Sequence, residues 1–217
     1  SAQDVQDVPI AVTAFGAKQL DEQKVRSLEN LSYSAPNVQF EDVGTAPGYA
    51  NFSIRGLGIN SSIPSIDPTV GVFVDGVYMG ISAGILFDTF DLEGIEVLRG
   101  PQGLLFGRNV TGGAVVVRTK APSDELEIDA RLARESGPST IASVSISGPI
   151  AEDKLSGKFA VYYNDDEGYF TNEFNGNDDF GASETTIIRG ALRFTPSDAV
   201  EIIGRVENGR VRGDGTV

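Results

Sequence analysis

An α+β domain over residues 1–121, followed over 122–217 by antiparallel strands of an incomplete β-barrel, is the fold class this sequence predicts. Three observations predict it. Apolar runs in the first half are short, irregular and broken by glycine, whereas those in the second half alternate strictly with period two. The second-half connections differ in length. No stretch approaches the ~20 apolar residues of a membrane helix.

In the first half, Gly16 to Leu20 starts a short helical stretch, and Val25, Leu28 and Leu31 repeat at helical spacing until Pro36 closes the segment. Strand-like pieces follow, beginning with Phe52-Ser53-Ile54-Arg55. The run Gly71 to Tyr78 places Asp75-Gly76 between apolar residues, a two-residue hairpin signal. Ile95 to Leu98 and Ala114 to Val117 complete the set.

Five segments in the second half share one rule, an apolar face backed by a polar one. Leu126, Ile128, Ala130 and Leu132 oppose Glu127, Asp129 and Arg131. Ala142, Val144 and Ile146 oppose serines at 143, 145 and 147. Leu155, Gly157, Phe159, Val161 and Tyr163 oppose Ser156, Lys158 and Asn164. Ile188, Gly190, Leu192 and Phe194 oppose Arg189 and Arg193, and Val200, Ile202, Gly204 and Val206 oppose Glu201 and Arg205. Short turns are expected around Gly148-Pro149 and Pro196-Ser197, against a long polar loop from Asp165 to Glu184; the first outer connection, Glu135 to Thr140, is short. Short turns at one end and longer loops at the other suit an outer-membrane barrel. A soluble β-sandwich also alternates, but charges of both signs in mid-strand suit a water-filled lumen.

Composition narrows the function classes. The 17 basic and 31 acidic residues give a formal charge of −14, which argues against nucleic-acid binding. Without His or Cys, zinc, haem and thiol chemistry lose their usual ligands and nucleophile. No resident cofactor or metal is expected. The acidic runs Asp165-Asp166-Glu167 and Asn175 to Asp179 lack EF-hand spacing and read as a solvated loop. The chain begins at Ser1 without a basic or apolar leader, as expected of a mature or trimmed form.

One string is specific: Ile95-Glu96-Val97-Leu98-Arg99-Gly100-Pro101-Gln102-Gly103-Leu104-Leu105-Phe106-Gly107-Arg108-Asn109, then Gly112-Gly113 and Arg118-Thr119-Lys120. It resembles the plug signature of TonB-dependent outer-membrane receptors. Val8 to Phe15, Phe52 to Gly56 and Asp67 to Tyr78 resemble other plug segments in the same order. The glycines suit tight turns and close approach to a wall, and Pro101 a bend after the strand. The run lacks the Gly-Lys-Ser/Thr ending of a P-loop.

The resemblance implies a plug within a barrel of about 22 strands in the Gram-negative outer membrane, of which about five are expected here. It implies energised uptake of a scarce solute such as a ferric siderophore, with no reaction catalysed by the protein. The partners implied are the TonB-ExbB-ExbD complex, the ligand and outer-membrane lipid. Coupling would run through a TonB box, of which Ser1-Ala2-Gln3 resembles at most the tail. Arg55 and Arg99 match the arginines that lock plug to barrel by pairing with glutamates on later strands. Leu57, Asn60, Ser62, Pro64, Ile66 and Ser82 fall on the loops expected to face the ligand. Two rivals belong to other classes. One is a soluble β-rich binding or adhesion module without transport activity, and the other a hydrolase using a carboxylate pair such as Asp88 and Glu93.

Overall fold

A computed structural model describes residues 11–23, 25, 31–32, 35, 37–42, 50–58, 68–79, 90–101, 103, 110–137, 139–151, 154–168, 170–174 and 176–213. The chain divides into two compact units; among the described residues the first runs to Thr119 and the second starts at Lys120.

The first unit opens with β1 (Ala11–Gly16), α1 (Ala17–Glu22), β2 (Val38–Asp42), β3 (Ala50–Ile54) and β4 (Leu57–Gly58). It continues with β5 (Val70–Val74), β6 (Val77–Tyr78), β7 (Leu92–Arg99) and β8 (Gly113–Thr119). Strands β1-β7-β8-β5-β6 form one sheet, in which β5 runs parallel to β8, and β2-β3-β4 form a second. The helix expected from Gly16 starts at Ala17, because Gly16 still pairs with Gly94. Most of the second helical stretch, with Pro36, lies outside the described residues; Val25 and Leu31 are both buried.

The core follows from the alternation. Ile95 and Val97 of β7 and Val115 and Val117 of β8 are almost wholly buried, and they cluster with Phe15, Leu20, Ile54 and Val72. Phe40 and Phe52 meet edge to face with centroids 5.2 Å apart. A smaller cluster of Phe73, Leu98, Val110 and Ala114 also forms.

Asp75-Gly76 does form a hairpin, with φ of 49° and 84°. Two successive positive φ angles identify the type I′ turn, whose twist matches that of the strands. The Asp75 carboxylate accepts from the Thr119 amide at 2.9 Å and from its hydroxyl at 2.7 Å, stapling the turn to the end of β8. A second turn of this kind, Arg55-Gly56 between β3 and β4, has φ of 54° and 76°.

The second unit contains β9 (Glu127–Glu135), β10 (Ser139–Ala151), β11 (Leu155–Asp166), β12 (Phe170–Asn172), β13 (Asn177–Phe180), β14 (Ser183–Ser197) and β15 (Val200–Gly213). The five expected strands form one antiparallel sheet in the order β15-β14-β11-β10-β9. Both proline positions differ from expectation. β10 runs through Gly148-Pro149, so the turn falls between Ala151 and Leu155, with a register irregularity between Pro149 and Ala151. β14 likewise runs through Pro196-Ser197, irregular between Phe194 and Ser197, before turning to Val200. A strand can carry a proline where the ladder is already broken, since no amide hydrogen is needed there. The long loop is shorter than expected, spanning Asp166 to Ser183, and it contains the β12–β13 hairpin.

This sheet is inside out by the standards of a soluble domain. Ile128, Leu132, Phe159, Leu192, Ile202 and Val206 are all more than half exposed on the apolar face. On the opposite face Ser145, Ser147 and Ser156 are buried. The short β10–β11 and β14–β15 turns share one end of the sheet. The β9–β10 connection and the long β11–β14 connection share the other.

Candidate functional site

The signature residues form the junction between β7 and β8. Arg99 ends β7, Gly100 follows with φ of 99°, and its amide donates to the Gly112 carbonyl at 3.1 Å. The Gly112 amide in turn donates to Thr69 at 2.9 Å. A β-carbon at Gly112 would stand 3.2 Å from that of Leu57, and one at Gly113 only 2.3 Å from the Leu98 carbonyl oxygen. The glycines thus let three backbone segments converge where a side chain would not fit. Pro101 is exposed after the bend. Gly107 and Arg108 lie outside the described residues.

The two arginines occupy different settings. Arg55 is exposed on the β3–β4 turn, with its amide donating to the Asn37 carbonyl at 2.8 Å. Arg99 is half-buried, and its guanidinium donates to the Thr13 hydroxyl at 3.0 Å across to β1. Of the ligand-facing candidates, Leu57 is described and exposed. Asn60, Ser62, Pro64, Ile66 and Ser82 lie outside the described residues, as does Asp88, while Glu93 is an exposed strand residue.

Sequence reasoning missed a polar cluster around residues 120–129. The Ser123 amide donates to the Ser147 hydroxyl at 2.7 Å, and the Ser156 hydroxyl donates to Asp124 Oδ1 at 3.0 Å. Arg193 pairs with the same carboxylate and lies 3.9 Å from Glu201. Lys158 donates to the Lys120 carbonyl at 3.3 Å, and the Lys120 ammonium lies 3.7 Å from Asp129. The Arg193 hydrogen bond, then that of Ser156, holds the Asp124 carboxyl below the ordinary carboxylate range. Elsewhere on the same sheet Arg189 pairs with Glu207, and Arg134 with Glu167 at 3.0 Å.

Residues 4–114 match the TonB-dependent Receptor Plug Domain family. The pesticin receptor of Yersinia pestis is 28% identical over 189 residues, covering 87% of this chain and 28% of that protein. The ferrioxamine B receptor of Salmonella typhimurium (strain LT2) is 25% identical over 152 residues, covering 68% of this chain and 21% of the receptor. The crystal structure of the ferric yersiniabactin uptake receptor from Yersinia pestis superposes with a TM-score of 0.83 at 26% identity, covering 95% of this chain and 32% of that one. The pyoverdine outer membrane receptor of Pseudomonas aeruginosa PAO1, at 19% identity and a TM-score of 0.75, shares the fold; the match covers 93% of this chain and 28% of that one. The chain therefore spans about a third or less of the length of these relatives. With a plug match over more than half its length, and a sheet that turns its apolar face outward, this chain belongs to the TonB-dependent receptors of the Gram-negative outer membrane, as a plug domain followed by strands of an incomplete barrel.

Proposed function

We propose that the receptor carrying this chain takes up a ferric siderophore, with the plug gating the barrel and the TonB-ExbB-ExbD complex supplying energy from the proton-motive force. The protein catalyses no reaction in this reading. The observation that carries it is the presence, in one chain, of the glycine-built plug junction and a sheet whose apolar face is exposed while serines on its opposite face are buried. A soluble module would bear the cost of that exposed apolar surface, whereas hydrocarbon covers it without cost. Support for an iron chelate comes from relatives named for ferrioxamine B and ferric yersiniabactin.

The test is accumulation of radiolabelled ferric chelates by iron-starved Gram-negative cells whose only siderophore receptor is the full-length protein. Uptake of at least one chelate, abolished by a protonophore, is expected. Failure to bind any chelate, or uptake that ignores the protonophore, would reject the reading.

Arg55 and Arg99 are the proposed lock, pairing with glutamates of the inner barrel wall. Both lie at strand ends, on different sheets of the plug. Truncating one partner of a desolvated charge pair costs about 2–5 kcal/mol. Replacing both arginines by Ala in the full-length receptor is expected to accelerate hydrogen exchange across residues 52–120, and unchanged exchange there would sink the assignment.

A further inference from the structure

The apolar face of the barrel sheet can be followed row by row from the short turns to the loops. The row through Phe159 ends on β15 in Val206, and the next, through Val161 and Ile188, ends in Asn208. The Tyr163 row ends in Arg210, opposite Thr186, and the last row ends in Arg212, opposite Glu184. Both arginines therefore stand on the face that carries the apolar side chains, at the end of the sheet where the long connection emerges. In outer-membrane barrels the longer loops lie outside the cell, which puts this end in the outer leaflet.

These two cations differ from the other arginines of the sheet. On the opposite face Arg189 pairs with Glu207, and Arg193 with Asp124. Arg134, at the other end of the last row, pairs with Glu167 at 3.0 Å. Arg210 and Arg212 are exposed and make no ion pair or side-chain hydrogen bond among the described residues. Glu184 stands opposite Arg212, yet its carboxylate accepts from the Tyr163 hydroxyl at 3.5 Å, on the strand to its other side.

Two residues apart on one strand, the arginines stand about 7 Å from one another at their α-carbons. Both long side chains can reach one tetrahedral anion, and the guanidinium fork matches phosphate oxygens. Toward the short turns the same face offers Val206 and Ile188, 71% and 41% exposed. Cations above and aliphatic side chains below repeat the order of a phosphorylated lipid, with its headgroup above its acyl chains. The outer leaflet of the Gram-negative outer membrane consists of such phosphorylated glycolipid.

We propose that Arg210 and Arg212 form a headgroup site on the outward face, which holds a phosphate of an outer-leaflet lipid while Val206 and Ile188 lie against its acyl chains. The site rests on this face meeting lipid, and is independent of what the receptor takes up.

The test uses the purified full-length receptor, stripped of lipid in detergent and titrated with diphosphorylated lipid A, with bound lipid followed by native mass spectrometry. Replacing both arginines, Arg210→Gln with Arg212→Gln, is expected to weaken binding about 25-fold, at roughly fivefold for each arginine beside an anionic lipid. Lys154→Gln, exposed in the β10–β11 turn at the opposite end of the sheet, is expected to change it by less than about twofold, lying well beyond a Debye length of about 10 Å. Lipid A without its phosphates is expected to bind wild type and double variant alike. If the double variant does not assemble, Arg212→Gln alone is read against the loss of about fivefold. Equal binding of the phosphorylated lipid by wild type and variant would overturn the site, and would mean that the arginines find their partners within the receptor. Displacement of the lipid by an excess of inorganic phosphate would overturn the lipid assignment, since a free anion has no acyl chain for the aliphatic side chains to hold.

Discussion

Phe159→Arg is expected to destabilise the full-length receptor in phospholipid vesicles by about 2–4 kcal/mol, the cost of an arginine on the lipid face near the bilayer midplane. The position follows from register. Phe159 stands midway between Leu155 and Tyr163 on the apolar face of β11, with Ile146 and Gly190 beside it on the flanking strands. Eight residues at about 3.3 Å rise make about 26 Å of strand, or roughly 20 Å of height at barrel tilt, close to the ~25 Å apolar band of such barrels. The row Arg134, Thr140, Asp165, Glu184 and Arg212 lies beyond the Tyr163 row, where the band gives way to polar side chains. On a soluble β-module the same change, at a ring already 52% exposed, would fall within about ±0.5 kcal/mol. Urea unfolding in vesicles, with Asp198→Arg in the exposed β14–β15 turn as control, distinguishes the two. A loss no larger than the control's would remove the membrane assignment.

Gly113→Ala is expected to disrupt the plug still more. Its φ of 150° is disfavoured for a side-chain-bearing residue, at about 1–3 kcal/mol. The added carbon would meet the Leu98 carbonyl oxygen at 2.3 Å and the Ile54 side chain at 2.7 Å. The carbonyl belongs to backbone paired across β7 and β8, so it cannot rotate away, and overpacking adds about 1–3 kcal/mol. Gly112→Ala should cost less, since its nearest neighbours stand at 3.2 Å or beyond. Hydrogen exchange of the β7 and β8 amides in the full-length receptor reads both variants. Equal protection in Gly113→Ala and wild type would mean that β7 and β8 do not approach as closely as described.

Legibility divided along the range of the interactions. Period-two alternation is local, so the five barrel strands and their faces could be read directly, and so could the Asp75-Gly76 hairpin. The prolines misled because Pro149 and Pro196 look like turn residues, and only the pairing of whole strands shows that the strands continue past them, with Pro149 next to a register irregularity and Pro196 within one. Arg55-Gly56 escaped as a hairpin because arginine carries no preference for positive φ; Gly56 and the Asn37 carbonyl support the turn.

By itself, then, the sequence determined the five alternating strands and the apolar and polar faces of their sheet. These depend on residue type and on spacings of a few residues, which act before any long-range contact forms. Only the tertiary structure decided the parallel pairing of β5 with β8, the Asp75 staple on Thr119, and the grip of Arg193 and Ser156 on Asp124. Those partners lie 44, 69 and 32 residues apart for the Asp75, Arg193 and Ser156 contacts. A charge or hydroxyl bears no local mark of its partner, which becomes its neighbour only once the strands between them have found their register.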